Sequence, residues 1–541
     1  MNWIDKRIAW LFPGYALKRS IARNRLERVK DLQPKERRNF EAISGNRTRY
    51  DFLSTSKSAD SYIQHGMKSL REHVRELEYN NGFISGPIQR IVKNVVGQGI
   101  RFQSRIIADN EFRGFPKINQ KEADYFNSEI ERLFKQWAKQ SDKRLLQNFY
   151  EQQAMCEGTL LRDNGVLVIG RTSKRKDRPI PYCLEILEID RLQTPPGAIN
   201  EKNIRHGILF DDEGVPKTYY ILKRHPGDTF TGLRAEDFEE VSAFNPNGTR
   251  KVLHLYNPIR PEQTIGYSVF ASALKDLQDL DRYREAELYA ALEDACMTGI
   301  VETENPVGFQ GSYTETSENT DQYDRINEFA PGKWHYLKPG EKVSIHSPKR
   351  PNNAFGDFVS QILRGPSNAL DIPPEVFAQD WHGMNYSNAR TVLLMFYLSC
   401  RIRQRYLIDH LCIPVYEAVA RDFIALGKIK ALGFSTRPES YLEHVWISPG
   451  WQWIDPSKEA KGKEIELTNN METLTDIAAG QGKDIDERLE TRARELKKMK
   501  ELEEKYGIQF PKKQEGKSNP DGFDENNDEE DKEERFLQVM R

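Results

Sequence analysis

Few residues in this chain have the types and spacings that could do chemistry. Gly480, Gln481, Gly482, Lys483 and Asp484 come nearest to a phosphate-binding loop, in which backbone N–H groups cradle phosphate while a lysine and a hydroxyl serve the phosphates and Mg²⁺. Both the spacing and the hydroxyl are missing here. Gly97-Gln98-Gly99 lacks the third glycine of a nucleotide loop and runs into the strand-like Ile100-Arg101-Phe102, so it predicts a turn. Asp484 and Asp486 could pass for metal ligands, but two acids at a helix start more simply complement its dipole. The chain has no H-E-x-x-H or G-x-S-x-G motif, its histidines are dispersed, and Cys156, Cys183, Cys296, Cys400 and Cys412 form no C-x-x-C pair. The expectation is a protein that is not an enzyme and carries no cofactor or metal, with its thiols buried and free.

A different kind of site is offered by Gln379, Asp380, Trp381, His382, Gly383, Met384 and Asn385. This stretch has one strong charge, two rings, a glycine that permits φ > 0, and no apolar run to bury it. It suits contact rather than reaction, although Trp381 and His382 could instead be core residues beneath a surface turn. Two helical runs must aim it. The first spans 353–370, with an expected interruption at Gly365-Pro366 and a stop at Ile372-Pro373-Pro374. The second starts with Ser387 or Asn388 as N-cap, carries Arg390 in its first turns, and continues without glycine to Gly427, a rod of about 57 Å at about 1.5 Å per residue. Pro414 predicts a kink one turn earlier; two helices joined near Cys412-Ile413 are the alternative.

The remaining elements follow from hydrophobic period. Ile88, Ile91, Val92, Val95 and Val96 define one helix face, and further helices are expected at 123–138, from Leu145 toward Glu157, and from Gly266 to about Thr298. Short apolar or alternating runs at 166–169, 184–189, 208–210 and 219–222, divided by turn residues, predict strands. A segment with Trp446, Trp451 and Trp453 reads as β, Asp455 as the N-cap before Pro456, and 484–506 as a helix with Leu489, Leu496 and Leu502 on a stripe. The class is α+β.

With 541 residues the chain is long enough for several cores, and 38% hydrophobic against 30% charged residues makes it unusually polar. A formal charge of −2 argues against a general nucleic-acid binder, so any DNA contact is expected to be local or transient. Lys and Arg predominate over 17–38, which suits an arm touching nucleic acid or an acidic protein surface, or simply a solvated helix or disordered arm. From Lys512 onward acids predominate and predict disorder. No apolar run is long enough to span a bilayer, so a cytosolic protein is expected.

Leu363-Arg364, Ile372-Pro373, Asp380 and Asn385-Tyr386-Ser387-Asn388-Ala389-Arg390 together resemble the lambda-type family of tailed-phage portal proteins. Other landmarks stand in the family's order: Asn80-Asn81-Gly82, Val95-Val96-Gly97-Gln98-Gly99-Ile100, His254-Leu255-Tyr256 with Gln263 and Gly266, and Trp451-Gln452-Trp453-Ile454-Asp455-Pro456-Ser457-Lys458-Glu459. The resemblance covers about residues 60–490. It implies an N-terminal arm over 1–60, a wing over 61–265, a stem helix over 266–300, a β-rich clip over 301–350, and a second stem helix over 351–373. A tunnel loop over 374–388, a long kinked helix over 389–428, a wing–crown connection and helical crown over 429–510 and the acidic tail over 511–541 complete the plan.

The resemblance further implies a homo-oligomeric ring of twelve chains at the capsid vertex of the virion, assembled in the host cytoplasm, with double-stranded DNA passing through without sequence readout. Its partners would be the terminase large subunit, the head–tail completion protein, the major capsid protein and the scaffold. Trp334, Tyr336 and Ile345 are the expected clip anchors. Competing readings are a nucleic-acid-binding adaptor and a metal-dependent nuclease of a phage-derived element.

Overall fold

The period read around residue 88 is realised as a helix over Gly82–Val95, with Ile84, Ile88, Ile91 and Val95 all buried. The computed structural model describes residues 57–64, 66–106, 118–198, 203–228, 234–296, 300–301, 335–336, 355–451 and 456–507, and every described helix and strand belongs to the compact unit Ala59–Arg541. The basic stretch 17–38, Trp334, Ile345, Trp453, Asp455 and the acidic tail lie outside the described residues.

Helices α1 (Ala59–Ile63), α2 (Met67–Asn80) and α3 (Gly82–Val95) lead into β1 (Arg101–Ser104). Asn81 caps α3 by accepting from Phe83 N at 2.8 Å. After α3 the chain turns through Gly97 and Gly99, both at positive φ, as the glycine spacing predicts. Helices α4 (Gln120–Ala138) and α5 (Phe149–Asp163) each open with a capping box, on Asn119 with Glu122 and on Asn148 with Glu151.

Strands β2 (Val166–Thr172) and β3 (Tyr182–Glu188) pair antiparallel. Next, β4 (Ile204–Arg205), β5 (Ile208–Phe210), β6 (Pro216–Leu222) and β7 (Phe238–Ser242) form an antiparallel four-stranded sheet. Strand β8 (Val252–Leu255) returns to the other edge of β2. Strand side chains alternate between faces, so Val166 and Val168 join one hydrophobic core while Leu167 and Ile169 join a second, beneath the four-stranded sheet. That explains why β2 is apolar at every position from 166 to 169.

A 3-10 turn over Val269–Ser272 precedes α6 (Leu274–Cys296). Short strands β9 (Ile300–Val301) and β10 (His335–Tyr336) pair in parallel, which places the backbone of Tyr336 beside Val301. Helix α7 (Phe355–Leu370) runs antiparallel to α6, since Tyr283 stacks on Phe355 at 5.7 Å while Gly365 lies against Asp276. The break expected at Gly365-Pro366 does not occur. A Cβ at 365 would sit 2.8 Å from Asp276 Oδ2, so the glycine serves close helix approach; Pro366 is buried, and Ser367 Oγ donates to Leu363 O at 2.7 Å, adding a bond in the turn where proline withdraws one.

Beyond the short α8 (Pro374–Ala378) comes α9 (Tyr386–Leu407), a π-turn over Ile408–Cys412, and α10 (Ile413–Ala425). The three segments form one continuous rod of about 60 Å. The irregularity sits where Pro414 predicts it: Ile413 N donates five residues back, to Ile408 O. Val415, Tyr416, Val419, Ala420 and Phe423 of α10 lie within the same core as α3, α4 and α5. After α11 (Pro438–Tyr441), β11 (His444–Ile447) pairs antiparallel with β1, and α12 (Pro456–Thr468), α13 (Leu474–Gly480) and α14 (Ile485–Tyr506) close the described chain. Among the described residues no helix is long and apolar enough to cross a membrane.

Candidate functional site

The stretch 379–385 projects from a firmly held base. Pro374 occupies the first turn of α8, Val376 and Phe377 are buried, and Arg90 Nη1 of α3 donates to Phe377 O at 2.7 Å, satisfying a carbonyl at the end of the short helix. Gln379 closes α8 in the left-handed conformation at φ 56°, with its N–H on Glu375 O. From Asp380 the chain leaves the core. Asp380 Oδ1 accepts from His382 N at 3.1 Å, Met384 N donates to Trp381 O at 3.3 Å, and Gly383 turns the chain back at φ 71° with open space around its Cα. Trp381 is 41% exposed and His382 is exposed, so neither is a core residue. Met384 is half-buried.

The cap of α9 is Asn385, whose side chain accepts from Asn388 N at 2.9 Å. Ser387 and Asn388, expected as the cap, fall inside the first turn, because the helix already starts at Tyr386 and Asn385 is the last extended residue. Arg390 is exposed one turn further on. Within 379–385 the only carboxylate is Asp380, and there is no lysine or arginine.

Behind the loop the rod is pinned by contacts that have no local sequence signal. The buried amide of Gln404 donates to Asn94 O, Val95 O and Pro449 O at 3.1–3.3 Å, closing the end of α3. Tyr406 Oη donates to Tyr256 O at 2.8 Å and accepts from Tyr256 N at 2.9 Å. Trp451 stacks on Tyr397 at 4.3 Å and donates through Nε1 to Asn94 Oδ1 at 2.8 Å. A cavity of about 240 Å³ beside α9 is lined by Glu157, Asp371, Ser399 and Arg403 together with the apolar Leu160 and Ile402. Burial raises the pKa of Glu157, and Arg403 at 3.4 Å partly opposes that shift.

Several of the landmark residues act in packing. Gln263 is buried and holds its own loop, accepting from Ile259 N at 2.9 Å and donating to Ile265 O at 2.7 Å. His254, its pKa pushed down to about 3 by burial, packs at a tilt against Tyr256, ring centres 4.6 Å apart. A Cβ at Gly266 would run into Asn164 O.

The chemical candidates resolve into structural roles. Gln481 N, Gly482 N and Lys483 N donate to carbonyls of Ala478 and Ala479, so these amides close α13 and are not free to cradle phosphate. Asp484 is the N-cap of α14, accepting from Asp486 N at 2.8 Å. Glu188, Asp190 and His225 could meet around an ion, a grouping the sequence did not signal. Arg75, however, reaches Asp190 at 2.5 Å, Glu188 at 3.9 Å and Asp163 at 2.8 Å, and Arg71 lies 3.4 Å from Asp190. Two guanidinium groups thus already occupy these carboxylates, a poor setting for a cation. Cys156, Cys183, Cys400 and Cys412 are buried and free.

Residues 45–404 match the family described as phage portal protein, lambda family, and the chain belongs to that family. It is 25% identical over 459 residues to the probable portal protein of Halomonas phage phiHAP-1, covering 83% of this chain and 84% of the relative. It is 21% identical over 466 residues to portal protein B of Escherichia phage lambda, covering 81% of this chain and 85% of the relative. Among solved structures it is similar to a chain of the virion of the native gene transfer agent particle (13% identity, TM-score 0.37, 77% of this chain and 93% of that one). It is also similar to one in the neck of the native particle computed with C12 symmetry (12%, 0.38, 77% and 94%).

Proposed function

We propose that this chain is one wedge of a ring-shaped portal, through which double-stranded DNA is packaged and ejected at the capsid vertex, and that residues 379–385 line the narrowest part of its channel. The observation that carries the reading is the loop itself: a base locked by Arg90 and buried Phe377 presents an exposed tip without lysine or arginine. Several cations per subunit, multiplied around a ring, would hold DNA in a salt-sensitive trap that resists sliding. A tip bearing only Asp380 instead obstructs backward slip sterically and through weak polar contacts.

Ring assembly is supported by apolar surface that a single chain leaves uncovered. Met395, Leu398 and Ile402 of α9 are each more than 60% exposed, as are Leu288 and Tyr289 of α6. A closed ring joins one face of a subunit to a different face of the next, and such stripes on two long helices suit that heterologous contact. We assign 266–300 and 351–373 to the stem, 301–350 to the clip and 429–510 to the crown connection and crown. On this reading the clip docks the terminase large subunit during packaging and the completion protein afterwards, while capsid protein and scaffold surround the ring of twelve. The arm over 17–38 contacts a neighbouring subunit or the shell rather than DNA.

Two measurements test the proposal. Negative-stain images of the purified protein should contain rings with a central hole, and a uniform monomer would sink the assembly reading. Deleting 381–384 should leave folded rings that begin packaging but retain DNA poorly; full-length nuclease-protected genomes in that variant would reject the loop's role.

A further inference from the structure

Helices α13 and α14 enclose a groove of about 730 Å³, floored by Leu474, Ile477, Ala478 and Leu489. Ala478 is buried, but Leu474 and Leu489 are 54% and 57% exposed, and α14 has no buried residue along its whole length. Its charged lining is Arg101, Lys483, Arg488 and Arg492 with Asp484, Glu487 and Glu495, a net excess of one positive charge. Arg492 pairs with Glu495 on its own helix, at 3.1 Å, and exposed pairs of that kind hold their partners weakly.

The chain outside the described residues supplies an occupant. Past Pro511 the sequence is polar except for Phe523 until Arg535-Phe536-Leu537-Gln538-Val539-Met540-Arg541. Nine carboxylates and a single lysine occupy 521–534, immediately before that apolar segment. We propose that residues 535–541 dock in the α13–α14 groove of their own chain. Phe536, Leu537, Val539 and Met540 would cover Leu474, Ile477 and Leu489, while the acidic stretch lies along the Lys483, Arg488 and Arg492 rim.

The reach fits. From Gly507 back to Leu489 is 507 − 489 = 18 residues of helix, about 27 Å at about 1.5 Å per residue. The spacer 508–534 holds 27 residues. Fully extended, 27 residues reach about 90 Å, well beyond that gap. A tether that spans the gap makes docking intramolecular, so a short apolar segment suffices. Docking of this kind would hold whether or not residues 379–385 line a channel.

The test uses the full-length chain with the photo-cross-linker p-benzoylphenylalanine in place of Leu489, prepared as a mixture of isotopically light and heavy copies. Mass spectrometry should find residue 489 joined to a peptide from 535–541 of the same isotopic label. That product should disappear in a Leu537→Asp, Val539→Asp variant and diminish at about 0.5 M salt, where exposed charge attraction is screened. Cross-links to a differently labelled copy, to any other segment, or to none would each overturn docking in the same chain. As a second readout, truncation after Glu534 should speed hydrogen exchange across 474–489 at least fivefold; unchanged exchange would also overturn it.

Discussion

Replacing Arg90 by methionine removes one hydrogen bond and little else, because methionine keeps the aliphatic stem that packs in α3. The lost bond is the 2.7 Å contact from Nη1 to Phe377 O, which ties α3 to the backbone of α8. A bond from a charged donor contributes about 1.5–3 kcal/mol. Burial, which lowers the Arg90 pKa, opposes part of that gain, leaving about 1–2 kcal/mol. The opening that matters is local: Phe377 N on Pro373 O, Gln379 N on Glu375 O and Asp380 N on Glu375 O would lose their bonds together. Hydrogen exchange of peptides covering 377–380 should therefore quicken by roughly 5- to 30-fold in Arg90→Met. Amides in the middle of α3 should keep wild-type rates. Unchanged exchange at 377–380 would show that the tether carries no energy, and an equal rise throughout α3 would show that Arg90 supports the whole core instead of the loop base.

Gly266→Ala should lower stability by about 3 kcal/mol through the clash of its methyl with Asn164 O, seen as a reduced Tm and soluble yield. The Glu131 carboxyl, half-buried and facing Asp484, Asp486 and Glu487, has its pKa pushed up to about 7, by burial first and these acids after. An acid whose folded pKa is raised loses its stabilising contribution as pH rises through that value, so Glu131→Gln, which can still accept from Ser104 N, should stabilise the protein at about pH 8 and not at about pH 5. After allowance for solvent screening the gain is about 1 kcal/mol, measurable as a pH-dependent Tm difference. Deleting 311–327 should preserve soluble protein but impair ring closure or motor docking, as read by ring images and packaging yield.

Period and turn chemistry carried most of the fold. Ile88 to Val96 announced α3, the apolar run at 166–169 announced a strand, and Pro414 announced the irregularity before it. These signals are local. Pro366 misled because its cost is offset by a helix packed against it, through Gly365 and Asp276, more than eighty residues apart in sequence. The cap at Asn385 was missed because three short polar residues compete there and backbone conformation decides among them. At the candidate site, the exposed tip and the positive φ at Gly383 were legible, whereas Arg90, Gln404 and Tyr406 were not: each side chain meets a backbone atom brought close only by the finished fold.

The π-turn over Ile408–Cys412 sets the compass bearing of the loop. One residue added to an α-helix rotates everything beyond it by about 100° and displaces it by about 1.5 Å. Since α10 is embedded in the core and α9 emerges from it, this extra residue decides toward which side of the body α9 presents Met395 and Ile402. Direction in this molecule is thus kept by a count of residues, much as the length of a key's shank decides which way its teeth face when it stops turning.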